Sequence, residues 1–357
     1  MKLHRLLCFL LVLALTGCSS VLPAAPPPET AKFFLAVQSD IGTETRESLD
    51  VFCQQVETLS EGTMLIEYTE TDDAAALLRE GLELALLPNG AVERYDPDFT
   101  SFPSPFYFYD TAHLTASLNS AEFVRLTGSR LAEGLGAAPL AALCGGSSVF
   151  VSDESEELDM YEKWRDIPVA LSDESGLLAT VLSGLGAEVS LLPADELMPG
   201  FLRHELHTIE CKTEELSALP PPEGEATVCV FRSFHTARID WLLCSAAWME
   251  TLTDRQRAVL TEAAAAMLGA DHAAVTAREA ALFAEAEAKG IPVYDAVYDE
   301  FSDRADALLL QAQVQPEEPD DEEPDGEEEE TEPLQIFALP VWDWETHAAV
   351  RSLGLLN

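Results

Sequence analysis

The chain has 357 residues, 47% of them hydrophobic, which excludes a disordered or fibrous protein and leaves room for a large core or two domains. It carries 64 acidic against 20 basic residues, a formal charge of −44, which argues against nucleic acid and anionic lipid surfaces as partners. Part of that charge is local: removing the 12 acids of Glu317–Glu332 from −44 leaves −32, so the remainder is acidic in its own right.

Lys2, His4 and Arg5 precede the apolar run Leu6–Leu15, and small residues follow. That run is too short to span a bilayer, and the layout is that of a secretory signal peptide over residues 1–17. Leu15-Thr16-Gly17-Cys18 resembles a bacterial lipobox, in which the cysteine becomes the lipid-bearing first residue. An ordinary signal peptide with a cysteine near its cleavage point is the alternative. Cys18 is the expected lipidation site, placing the protein outside the cytoplasm, held to the cell membrane by its lipid. Residues 18–30 contain Pro23-Ala24-Ala25-Pro26-Pro27-Pro28-Glu29 and read as an extended tether.

Strand-like and helix-like segments then alternate. Phe33–Ser39 is a predicted strand, followed by a helix that Thr43 is placed to cap. Leu49, Phe52, Cys53, Val56 and Leu59 share one helical face, and Gly62 ends it. Thr63–Thr69 and Leu82–Pro88 are the next strands, with a short acid-capped helix between them ending at Gly81. This order predicts a mostly parallel sheet covered on both faces. Ser148–Ser152, Ile167–Leu171 and Ala187–Leu192 continue the pattern, with a helix between the last two. The segments Ala226–Ser233 and Asp240–Ala247 are later strands. Thr253 and Gln256 form a capping box opening one alanine-rich helix that runs to Lys289 and stops at Gly290. At 1.5 Å per residue it is about 50 Å long, so it crosses both lobes or kinks near Gly269. Ile291–Asp295 restarts a strand. Residues 315–333 are too charged to bury an apolar face and are predicted to be a disordered acidic insertion. The aromatic segment after it returns to the fold, or else is a surface helix.

Of seven cysteines, Cys8 leaves with the signal and Cys18 is lipidated. Cys53, Cys144, Cys211, Cys229 and Cys244 remain, without C-x-x-C spacing, and are expected to be free and buried; one disulfide is the alternative. His204, His207 and Glu210 lack the zincin spacing, so no metal is expected there. No nucleophile elbow, zinc-protease, Walker or dinucleotide fingerprint occurs, which points away from an enzyme and from any cofactor.

The collinear pieces Ser39–Tyr68, Leu77–Ser120, Leu182–Leu197 and His235–Ala264 resemble the solute-binding proteins of tripartite ATP-independent periplasmic (TRAP) transporters, of the dicarboxylate-receptor-like kind. Pro105-Phe106-Tyr107-Phe108 matches a family motif, and the resemblance covers roughly residues 32–306. It implies an α/β fold: a two-lobed periplasmic-binding-protein-like (type II) clamshell with mixed sheets and a long helix spanning both lobes. The expected division is lobe I at 31–147 with a return near 229–270, and lobe II at 148–228 with about 271–312 and 334–357. It further implies a small-molecule solute captured by closure, and the transporter's membrane components as partners. A binding-fold lipoprotein with a signalling, scaffolding or adhesion role is the alternative.

The carboxylate-binding arginine of the family falls here at Ala170, or at Val169 in a register slipped by one, and the second arginine position offers only Ser147 and Ser148. Arg165 and Arg203 are expected on the solvated surface. A neutral, cationic or apolar solute is therefore expected rather than a simple dicarboxylate. The candidate ligand-binding residues are Phe106, Ser147, Ser148, Ala170, Glu196, Phe231 and His235, with Glu196 offering a contact to a cation; a core position for Phe106 and Trp248 and a structural role for His235 are the alternatives. Cys18→Ala should abolish lipidation and leave a released or uncleaved chain. Mass spectrometry of the mature N-terminus checks this, and an ordinary cleaved terminus beyond Cys18 would refute the anchor.

Overall fold

The computed structural model describes residues 30–153, 158, 160–222, 228–296, 298–314 and 334–353. The signal peptide, Cys18, the tether up to residue 29 and the acidic insertion lie outside the described residues.

The chain opens with β1 (Ala31–Gln38), α1 (Thr43–Leu59), β2 (Met64–Thr71), α2 (Ala74–Arg79), β3 (Leu84–Pro88), α3 (Asn89–Glu93), α4 (Thr111–Leu118) and α5 (Ala121–Leu135). The long strand β4 (Ala137–Ser152) leads to β5 (Pro168–Ser172), α6 (Gly176–Gly184), β6 (Glu188–Leu192), α7 (Ala194–Leu202) and β7 (Thr208–Lys212). Then come β8 (Cys229–Arg232), β9 (Ala237–Ser245), α8 (Ala246–Thr251), α9 (Asp254–Ala288), β10 (Val293–Asp295), α10 (Tyr298–Val314) and α11 (Trp344–Arg351).

Strands follow the order β2-β1-β3-β9-β4-β7-β5-β6, with β8 joining β4 to β10. Pairing is parallel for β1 with β2 and β3, and for β5 with β6 and β7. It is antiparallel where β9 meets β3 and β4, and where β4 meets β7 and β8. The sheet is thus mixed, and β4 belongs to both lobes. Its first part pairs with β9 through Ser147, and its last five residues pair with β7. Strand β3 reads Leu-Ala-Leu-Leu because helices cover both of its faces, and those four residues are fully buried.

Each lobe has an apolar layer on either side of its sheet. On α1, Leu49, Phe52 and Val56 are fully buried, as their three- and four-residue spacing requires. Thr43 does not cap that helix: the N-cap is Gly42, with no side-chain bond, and Thr43 is the first helical residue. The expected capping box of Thr253 and Gln256 is present. Helix α9 is continuous through Gly269, and its apolar residues divide by position. Val259, Leu260, Ala263, Ala264 and Met267 pack in the first lobe, whereas Phe283 and Ala286 pack in the second. The helix therefore spans both lobes.

The five described cysteines are all free, and four are buried. The terminal segment is no surface decoration. His347 and Val350 are buried, Trp342 stacks on the His347 ring, and the Tyr107 hydroxyl donates to the His347 carbonyl at 2.7 Å. Arg351 pairs with Asp306 on α10. Deleting the chain from residue 334 onward should lower unfolding free energy by about 3–5 kcal/mol, because it uncovers two apolar layers. Denaturant titration measures this; a loss under about 1 kcal/mol would show that the contacts contribute little.

Candidate functional site

The two lobes meet where the pairing of β4 with β9 ends at Ser147 and its pairing with β7 begins at Ser148. The β4–β9 pairing shifts register between Cys144 and Ser147, leaving Gly145 and Gly146 out of the ladder. Gly146 has φ +115°, a conformation that glycine adopts readily. The missing side chain at Gly145 matters more. A Cβ there would collide with the side chain of Arg238, and so would one at Gly42, the N-cap of α1. The guanidinium of Arg238 therefore lies between two glycines, one at the start of α1 and one in the register break of β4.

Arg238 lines a small cavity with Gly145, Gly146, Ser147, Ser148, Lys212 and residues of α9. Arg278 on α9 pairs there with Glu214 of the second lobe at 3.3 Å. Glu279 accepts from the Ser147 hydroxyl at 2.5 Å and from its backbone N–H at 3.1 Å. Burial raises Glu279 above the ordinary carboxylate range despite these two donors.

Ser148 and Lys212 also line a larger cavity of about 450 Å³ on the second lobe. Its wall comes from the carboxyl ends of β5 and β7 and the start of α7: Ser172, Glu174, Ser175, Asp195 and Glu210 among others. Open α/β sheets bind ligands at this end of their strands. Glu210 is buried and accepts from the Ser175 hydroxyl at 2.6 Å, and His235 Nε2 lies 3.4 Å from it. Burial pushes the Glu210 carboxyl up, but His235, Ser175 and the Ser172 backbone offset this and hold it below its ordinary value.

Beneath Arg238 lie two buried acids. Asp240 on β9 accepts from Thr45 at 3.1 Å and sits 3.4 Å from Arg238 Nε. Asp271 on α9 accepts from the Cys144 backbone and the Ser48 hydroxyl. Burial pushes Asp240 up to about 6, against the lowering pull of Arg238 and Thr45. Burial and the Asp240 charge push Asp271 up to about 7.

The candidate residues read from the sequence fall into distinct places. Ser147 and Ser148 line the hinge cavities. His235 is fully buried, stacked on Phe150 and bonded to Ser233, and it reaches the cavity only through Glu210. Phe106, Phe231 and Ala170 are core residues and line none of the hinge cavities. Phe106 has φ +56°; its N–H donates to the His235 carbonyl, and its ring stacks on Phe301. Phe231 pairs with Phe150 across β8 and β4. Ala170 faces the apolar layer under α7. Glu196 is exposed, whereas its neighbours Asp195 and Leu197 line the larger cavity. Arg165 and Arg203 are exposed, and Arg203 pairs with Glu205. His204 and His207 are exposed and do not join Glu210; His207 bonds to Asp153.

Arg238, Lys212 and Arg278 line the small cavity and were not among the sequence candidates, and they correct the premise that the cleft lacks fixed positive charge. A partial signal for Arg238 existed: it precedes Asp240 by two residues, the spacing that puts both on one face of a strand.

No protein-family model matches the chain, and no curated protein matches it in sequence. Solved structures match its fold. A TRAP periplasmic solute-binding protein from Rhodobacter sphaeroides, in an apo open structure, is similar with a TM-score of 0.71 at 17% identity, covering 91% of this chain and 96% of that one. The sugar-acid-binding protein of Advenella mimigardefordensis in complex with galactonate gives 0.59 at 15% identity, over 92% of this chain and 99% of the other. A TRAP periplasmic solute-binding protein from Roseobacter denitrificans with bound β-D-glucuronate gives 0.56 at 17% identity, over 79% and 94%. The fold is therefore the two-lobed periplasmic solute-binding fold.

Carboxyls raised in the folded state contribute stability at low pH and lose it as pH climbs through their folded values. Asp271→Asn should match the wild type near pH 4 and gain on it by about 1–2 kcal/mol toward pH 8. Unfolding curves across that range measure the difference; a difference constant with pH would refute the assignment.

Proposed function

We propose that this chain is a receptor outside the cytoplasm, lipid-anchored through Cys18, that delivers a small solute to the membrane components of a TRAP-type transporter. Binding and release, not catalysis, are its task. The observation that carries this reading is the pair of adjoining hinge cavities sharing Ser148 and Lys212, with Arg238 held at the break in the β4–β9 pairing. A solute seated there touches both lobes and favours their closure.

The lining argues for the kind of solute. Arginine's planar fork suits a carboxylate or phosphate, and Arg238 is placed to take one such group. The larger cavity sets Glu174, Asp195, Glu210 and Glu215 against the single cation Lys212, with Ser148, Ser172 and Ser175. That lining opposes a second carboxylate and suits hydroxyls or an ammonium. The solute proposed is therefore a hydroxylated or amino-bearing mono-anion. This revises the expectation of a neutral, cationic or apolar ligand, and keeps the one against a simple dicarboxylate. The galactonate and glucuronate bound by the two neighbours are of the proposed class.

A thermal-shift screen followed by calorimetry should find stabilisation by D-galactonate or D-glucuronate and none by succinate. Arg238→Gln should weaken binding about ten-fold or more, since an anion then loses its charged partner. Binding of choline alone, or undiminished binding by Arg238→Gln, would overturn this ligand class.

A further inference from the structure

Two carboxyls beneath the hinge arginine have no part in holding the solute directly. Asp240 and Asp271 are buried, at 0% and 1% exposure, and each has an Oδ1 without a hydrogen-bond partner among the described residues. Asp240 acts on Asp271 electrostatically, and Arg238 acts on both. The remaining charged and polar groups facing the pair come from every element around it. Asp40 follows β1, Thr45 and Ser48 belong to α1, and Cys144 belongs to β4. Along α9, His272 adjoins Asp271, and Glu279 acts on Cys144. Among these, only Arg238 carries a permanent positive charge.

Two ionised carboxylates and one guanidinium leave one buried negative charge uncompensated, with two orphan oxygens beside it. One proton on the pair removes the charge and gives one orphan oxygen a hydrogen to donate. A bound metal ion would also neutralise it, but the adjacent guanidinium repels a cation.

We propose that Asp240 and Asp271 are positioning residues that together hold one proton beneath Arg238 and tie capture of an anionic solute to proton uptake. The proposal rests on the receptor reading given above. An anion on the guanidinium adds negative charge near the pair and draws the arginine's charge outward. The pair then holds its proton more firmly. Solute binding takes up a fraction of a proton from solvent, and affinity rises as pH falls. Asp240, on β9 opposite Leu143, and Asp271, on the helix that spans both lobes, lie close to the register break at Gly145 and Gly146, so the proton sits beside the hinge.

The test is calorimetry of the full chain with D-glucuronate from pH 6.0 to 8.5, in two buffers of different protonation enthalpy. The wild type should lose affinity about three-fold or more across this range, with buffer-dependent heat. Asp271→Asn and Asp240→Asn should each flatten the pH profile and remove the buffer dependence, with melting at pH 7 verifying that they fold. Infrared spectra at pH 6 should show a protonated carboxyl band that both variants lose. An unchanged pH profile in either folded variant, or absence of the band, overturns the proposal. Should choline bind and both D-glucuronate and inorganic phosphate fail, the proton linkage falls while the receptor reading stands. Should no solute bind at all, the receptor reading falls and takes the linkage with it, and the infrared band alone then decides whether the two acids hold a proton.

Discussion

The antiparallel pairing of β4 with β9, and its break at Gly145 and Gly146, is the constraint on which the rest depends. Antiparallel strands joined by ladder hydrogen bonds cannot slide, so the first part of β4 and all of β9 lock into one sheet. β4 then runs on into the second lobe and pairs with β7 and β8. The irregularity at Gly145 and Gly146 lies at the changeover. A bulge bends the strand and lets a side chain approach the backbone. Here the approaching side chain is Arg238, and a Cβ on either flanking glycine would expel it. One local break in pairing therefore marks the lobe boundary, opens the hinge cavity and holds its arginine.

Electrostatics follows from that placement. The protein is strongly acidic, so a surface anion meets repulsion at long range. Arg238, Lys212 and Arg278 are gathered around one small cavity. Arg278 is matched by Glu214, and Arg238 is set against buried carboxyls instead of solvent ones. These cations are partly exposed, so their attraction acts at close range, while salt screens the long-range repulsion beyond about a Debye length. On the second lobe, Glu210 is committed to Ser175 and His235, which makes it a rigid wall rather than a free acid.

The periodic elements were legible in the sequence. The faces of α1 and the extent of α9, with its capping box and terminal glycine, follow from local spacing and match the structure closely. The burial of the five free cysteines was legible in part, with Cys53 only half-buried. The site was legible only in fragments. Ser147 and Ser148 line the hinge, but Phe106, Phe231 and Ala170 are core, and Glu196 misses the cavity by one residue. A residue's membership of a cleft depends on which face of its strand or helix turns inward. A shift of one position reverses that on a strand. Thr43 fails as a cap for a similar reason: the helix begins one residue earlier than a cap at Thr43 requires.

The sequence by itself determined the alternation of strands and helices, the reach of the long helix and the acidity of the whole, because each is a local or summed property of neighbouring residues. Only the tertiary structure decided what surrounds Arg238. Gly42, Thr45, Gly145, Asp240 and Asp271 lie on α1, β4, β9 and α9 or at their ends, far apart along the chain. Burial, which raises a carboxyl or permits a guanidinium between two glycines, is produced by the packing of those elements together. No window of sequence contains it.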